Sequence, residues 1–218
     1  MLIEANKAIS LGSFHRMVRV EKVEYKPVGV RDLLIEMKDL SELMIDLAYS
    51  AALFDSPALA EEVMEMESHI DTLTYLLNMN VMIAARDAED AESLVGVTKV
   101  ARATDKISDA AADIAKIVLQ GIGIHPIIRE AFEKVEERLT RVEVKPQSIL
   151  AGKQLGELEL AAKMGVDIIA IRRNKKWMIN PEENETIKEE DVLIVRGAPQ
   201  GIEEIEGVAK GTIQELED

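Results

Sequence analysis

Cysteine is absent from the 218 residues, which excludes disulfides and thiolate chemistry and fits a cytosolic or thermophilic protein. With only three histidines besides, the chain holds no Ser/His/Asp or Cys/His set for nucleophilic catalysis, and it reads as a non-enzyme. No apolar run approaches the ~18 residues of a membrane span. The opening "MLIEANKAIS" lacks a signal-peptide core. A cytoplasmic location is therefore expected, with no direct membrane insertion. Net positive charge is also missing: the formal charge is −15, with balances of +2 over residues 1–30, −11 over 31–121 and −6 over 122–218. Acidity concentrated in the middle argues against nucleic acid as a partner there and suits metal cations.

What is present is helical first and β-rich afterwards. Between residues 30 and 121 the only proline is Pro57, and "SPALAEE" sets Ser56 as an N-cap with Pro57 at the first helical position. One helix therefore ends near Phe54 and the next begins. Val63, Met66, Ile70, Leu73, Leu77 and Val81 recur at three- and four-residue steps. A break at "ARDAEDAES" precedes a third helix, whose core centre is read at Ile107, Ala111, Ile114 and Val118, and "GIGIHP" stops it. Three long antiparallel helices make a bundle. Residues 126–141 read as a charged connector helix. The runs "RVEV", "DIIAI", "KWMI" and "VLIVRG" then alternate with helical "LGELELAAKMG" and a closing helix after Pro199. The fold class is α+β and multi-domain. It divides into an N-terminal segment (1–27), a helical bundle (28–122), a connector helix (123–141) and a small α+β domain (142–212).

Asp105, Asp109 and Asp113 stack at four-residue spacing on one helix face, outward from the assigned core centre. A solvated acidic face is the plain reading. Like charges at i, i+4 repel by a few tenths of a kcal/mol per pair, and a divalent or ferric cation on those oxygens would relieve them. Glu67 and Asp71 lie at the boundary of their own helix, where they could face the aspartate stripe of a neighbouring helix or of a second subunit. His69 points elsewhere and reads as a surface histidine. "GIGIHP" follows a helix instead of a strand and lacks the third glycine of a dinucleotide loop, so no NAD is expected. Arg172, Arg173, Lys175 and Lys176 form the one dense basic cluster. They make either a solvated strand end or a fork for phosphate, and alanine at both arginines would then leave the fold intact. Trp177 reads as packing.

The stretches "LLIEMKDLSELMIDLAYSAALFD", "PALAEEVMEMESHIDTL" and "KISDAAADIA" resemble one three-helix half of PhoU-type proteins. "SILAGKQLGELEL", "GVDIIAIRR", "INP" and "IKEEDVLIVRG" resemble the TrkA-type C-terminal domain of potassium-conductance regulators. The pairing resembles archaeal potassium-channel-related proteins. It implies regulation of cation transport through a membrane channel or transporter. The first resemblance places metal ligands at Glu67, Asp71, Asp105 and Asp109, with Asp113 as a fifth. The second implies a cyclic dinucleotide across a dimer axis, at Ile168, Ile169, Arg172, Arg173, Asn180 and Pro181. A single bundle is half of the PhoU pattern, so a homodimer is expected. Two other readings stand beside this one: a phosphate-signalling regulator of the PhoU kind, and a carboxylate-bridged metal enzyme of the helical-bundle type. In the TrkA-type pattern a glycine often precedes the last-turn aspartate, whereas Glu190 stands before Asp191 here.

Overall fold

The structure, a computed structural model, describes residue 25 and residues 27–122, 125–127 and 137–215. The expected N-terminal segment, apart from residues 25 and 27, lies outside the described residues, as do 123–124 and 128–136 of the expected connector. Helices α1 (Val30–Phe54), α2 (Pro57–Ala84) and α3 (Ala88–Leu119) form the bundle. Ser56 caps α2 by accepting from the Leu59 N–H at 3.4 Å, and Asp87 caps α3 by accepting from the Asp90 N–H at 2.9 Å. Each cap satisfies one amide that the first helical turn leaves without a partner.

The bundle core is asymmetric. Helices α1 and α2 fill it with Leu33, Met37, Leu40, Met44, Leu47, Leu59, Met66, Ile70 and Leu77, all fully buried. Helix α3 contributes Ala101, Ser108, Ala111, Ala112, Ala115 and Val118. This corrects the assigned core centre. Ala111 and Val118 are inside, but Ile107 is 43% exposed and Ile114 only half-buried. The physical reason is volume: large side chains from two helices leave room only for a small-residue face on the third.

The C-terminal domain is a four-stranded antiparallel sheet in the order β1-β4-β2-β3, with β1 (Arg138–Glu143), β2 (Val166–Arg173), β3 (Lys176–Ile179) and β4 (Val192–Gly197). Short helices α4 (Leu155–Leu158) and α5 (Leu160–Met164) split at Glu159, whose φ is +49°. Helix α6 (Pro199–Ala209) closes the domain. The expected helix over 126–141 is corrected at its end. Pro126 and Ile127 are helical, but Arg138 to Glu143 pair with Gly197 to Val192 of β4. The ladder offered by β4 outweighs a helical propensity carried mainly by charged residues.

One face of the sheet packs Val142, Val166, Ile171, Leu193 and Val195 against Ile205 and Val208 of α6. Leu139, Ile169, Ala170, Trp177, Ile179 and Ile194 instead join the core cluster of the bundle. A register shift between Ile168 and Ala170 makes this possible: the extra residue sends Ile168 to the domain's own core and Ile169 toward the bundle. The close fit at the N-terminus of α6 needs glycine, since a Cβ on Gly201 would lie 2.2 Å from the Met164 carbonyl oxygen. Among the described residues no helix is long and apolar enough to cross a membrane.

Candidate functional site

Alternation along β2 sends its two terminal arginines to opposite faces of the sheet. Arg172 points at the bundle. There its Nε donates to Glu62 Oε2 and its Nη2 to Glu62 Oε1, both at 2.8 Å. Arg141 of β1 donates from Nε to the same Oε1 at 2.7 Å. Glu62 lies in α2 and is 3% exposed, so one buried carboxylate of the bundle holds two strands of the other domain. Arg172 also reaches Glu65 at 3.3 Å and lies 5.9 Å over the Trp177 ring. Burial is the strongest single influence and works against its charge, but the hydrogen bonds to Glu62 and the charges of Glu62, Glu65 and Glu143 together outweigh it and raise its pKa. A second interdomain contact sets the Arg138 guanidinium 4.7 Å over the Phe54 ring.

Arg173 turns into its own domain. Its Nε and Nη2 donate to Asp191 Oδ1 and Oδ2 at 2.9 and 2.8 Å, Nη1 donates to Glu185 at 2.9 Å, and Nη2 also reaches the Thr186 carbonyl. The hydrogen bonds to Asp191 raise its pKa in spite of burial. Asp191 is 1% exposed and also accepts from the Lys188 amide at 2.8 Å, which closes the turn. Glu190, standing where the related pattern often has glycine, carries φ +66°, so the turn keeps its left-handed residue without glycine.

The six expected ligand positions are therefore not brought together in one chain. Ile168 and Pro181 line a groove of about 500 Å³ with Leu155, Leu160, Val166 and the carboxylates Glu159, Asp167 and Glu183. Ile169 packs toward the bundle. Asn180 is exposed with φ +48° and donates its amide to the Ile169 carbonyl at 2.9 Å. Both arginines are held by carboxylates, and the expectation that their removal leaves the fold intact is corrected on that ground. Lys175 and Lys176 are exposed in and beside the turn joining β2 to β3. Trp177 packs at the interdomain face, beside a cleft of about 230 Å³ formed with Asp32, Ile35, Glu36 and Asp39 of α1.

The acidic face is brought together across α2 and α3. Burial, then the charge of Asp71, pushes the Glu67 carboxyl above its ordinary range, with Lys116 opposing and Asp109 and Asp113 adding to the rise. Asp71 is raised likewise by burial and then by Asp105 and Asp109. Asp105 accepts from the Thr74 hydroxyl at 3.0 Å, and Asp113 accepts from Lys116 at 2.9 Å. Among the described residues no group of three or more His, Asp or Glu side chains is placed to hold a metal ion. His69 is half-buried and pairs with Glu36 of α1 at 2.9 Å.

Glu62 was not singled out from the sequence, though a signal was there. It stands three residues after Leu59 and four before Met66, a carboxylate on the apolar side of its helix.

Residues 34–118 match the PhoU domain, and residues 139–209 match the TrkA-C domain. The chain is 33% identical over 102 residues to the Ktr system potassium uptake protein C of Bacillus subtilis, covering 47% of this chain and 45% of that protein. It is 26% identical over 144 residues to the probable potassium channel protein 2 of Methanocaldococcus jannaschii, covering 62% of this chain and 41% of that one. The chain thus spans less than half the length of these curated relatives. Among solved structures it is similar to the RCK C domain of KtrA in complex with cyclic diadenosine monophosphate. That match has 25% identity and a TM-score of 0.31, and covers 37% of this chain and 93% of that one.

Arg173→Ala strands the buried Asp191 charge and is expected to cost about 3–5 kcal/mol in urea denaturation. A loss under about 1 kcal/mol would class the pair with solvated surface bridges. For the acidic face, the Asp71 carboxyl titrates higher in the native state than in the unfolded chain, so stability falls as pH rises through that interval and the penalty is full above it. Asp71→Asn is expected to melt higher than the parent at pH 7 and to match it below about pH 3, where both are neutral. A variant that melts lower at pH 7 contradicts the repulsion.

Proposed function

We propose that this chain, a PhoU domain joined to a TrkA-C domain, is a regulatory protein of potassium transport that senses a small ligand and acts on a membrane transporter, and not an enzyme. The observation that carries the mechanism is the joint itself. Arg141 and Arg172 bind one buried carboxylate of the bundle, so a shift of β1 or β2 is felt at α2. The curated relatives, an uptake protein and a channel protein for potassium, support the transport reading.

The ligand site in this reading is the groove lined by Ile168 and Pro181, with Ile168 on the same strand that carries Arg172. Its volume of about 500 Å³ suits a molecule of nucleotide size. A cyclic dinucleotide would rest its bases on those apolar residues. Its phosphates would face away from Glu159, Asp167 and Glu183, because like charges in a partly enclosed site repel strongly. Arg172 and Arg173 then act as the braces of the strand that senses the ligand, with Glu62 and Asp191 as their partners.

The test is capture of a tagged copy from native membranes, with Glu62→Ala alongside. The intact chain is expected to retain an integral-membrane cation transporter, and the variant to retain several-fold less. A capture free of any transporter overturns the reading.

A further inference from the structure

Helical spacing places six apolar residues on one side of α3: Val100 is 57% exposed, Ile107 43% and Ile117 42%, with Ala103 and Ala110 exposed between them and Ile114 half-buried in the same row. Among the described residues, Ile114 alone of this row packs against the bundle core. Beside Ile107, Ala110 and Ile114 it dips into a shallow depression of about 270 Å³, closed on the other side by Ile45 and Tyr49 of α1. Among the described residues the sheet docks on α1 and α2, away from this outer face of α3.

The charges along one edge of the row are unevenly divided. Lys99, Arg102 and Lys106 occupy the N-terminal half, and Asp109 and Asp113 the C-terminal half, where Lys116 pairs with Asp113 at 2.9 Å. None of the three cations has an ion pair among the described residues, and Arg102 and Lys106 stand four residues apart as like charges. The acidic half is already crowded: Asp109 and Asp113 raise the pKa of Glu67 across the helix pair.

We propose that a second copy of this chain covers the row, with the two α3 helices antiparallel about a two-fold axis at Ile107. Antiparallel helices bring the same edge of each into register against the other. Every position then meets a partner position with which its number sums to about 214. Val100 packs against the partner copy's position 114, Ala103 against 110, and Ile107 against itself. Small residues meet where the backbones come closest, and the branched residues fill the spaces on either side. By the same arithmetic Arg102 faces position 113 and Lys106 faces position 109, so two of the three unpaired cations meet carboxylates. One register satisfies the apolar row and the charged edge together, as an isologous contact requires. The inference is independent of the transport reading and of any ligand.

Because the full chain has no cysteine, a single one can be introduced at the axis without background. Oxidation of Ile107→Cys at micromolar concentration is expected to give a disulfide-linked dimer, whereas Lys175→Cys at the tip of the β2–β3 turn stays uncrosslinked. In sedimentation, Ile107→Glu is expected to weaken association roughly 10- to 100-fold while helicity is unchanged. Arg102→Asp and Asp113→Arg should each weaken it, and their combination in one chain should restore it. A monomeric parent, no crosslink at 107, or no recovery in the double variant overturns the proposal.

Discussion

A carboxylate that is 3% exposed and bound by two guanidiniums governs how this molecule is put together. Glu62 belongs to the bundle, and Arg141 and Arg172 belong to neighbouring regions of the sheet. Desolvating three ionic groups is costly, and such a cluster persists only where the geometry satisfies nearly every donor and acceptor. Among the described residues that condition holds throughout: no buried side-chain nitrogen or oxygen lacks a partner. The apolar contacts of Ile169, Trp177 and Ile179 with the bundle supply attraction without direction. The ion cluster adds direction, because a two-point Arg–carboxylate fork tolerates little rotation.

The rest of the C-terminal domain is arranged around that demand. Placing Arg172 toward the bundle and Arg173 toward Asp191 needs consecutive residues on opposite faces, which a strand gives automatically. Keeping both Ile169 and Ala170 on the bundle side, while Ile168 stays in the inner core, needs the irregular register against β4. The groove at Ile168 and the joint at Arg172 are thereby set on one strand, four residues apart. That short distance lets occupancy of one be felt at the other, with β2 as the element both share.

The sequence made the three helices and the four β-runs legible because their signals are local: Ser56 and Pro57 mark a helix start, and "VLIVRG" has the continuous apolar character of a buried strand. What it concealed depends on the other elements. Ile107 looked like core because spacing alone assigns a face, and the choice between two faces of α3 was made by the bulk of Leu and Met on α1 and α2. Arg138 to Arg141 looked helical because the strand partner that claims them lies more than fifty residues away. The arginine pair was legible as a cluster of charge, but its partners Glu62 and Asp191 are 110 and 18 residues distant and no local pattern names them. Glu67 and Asp71 were placed against the aspartate row of α3 from periodicity, and the structure brings the charges of the two helices within mutual influence without gathering them around one point.

If the joint is what orients the two domains, Glu62 and Arg172 must be energetically coupled and not merely adjacent. A double-mutant cycle with Glu62→Ala, Arg172→Ala and the pair, followed by urea denaturation of the full chain, measures that coupling directly. The account predicts that the two losses fail to add by about 1.5–3 kcal/mol, since removing either partner already strands the other in a buried place. Losses that add to within about 0.5 kcal/mol would contradict it, and would leave the domains held by apolar contact alone.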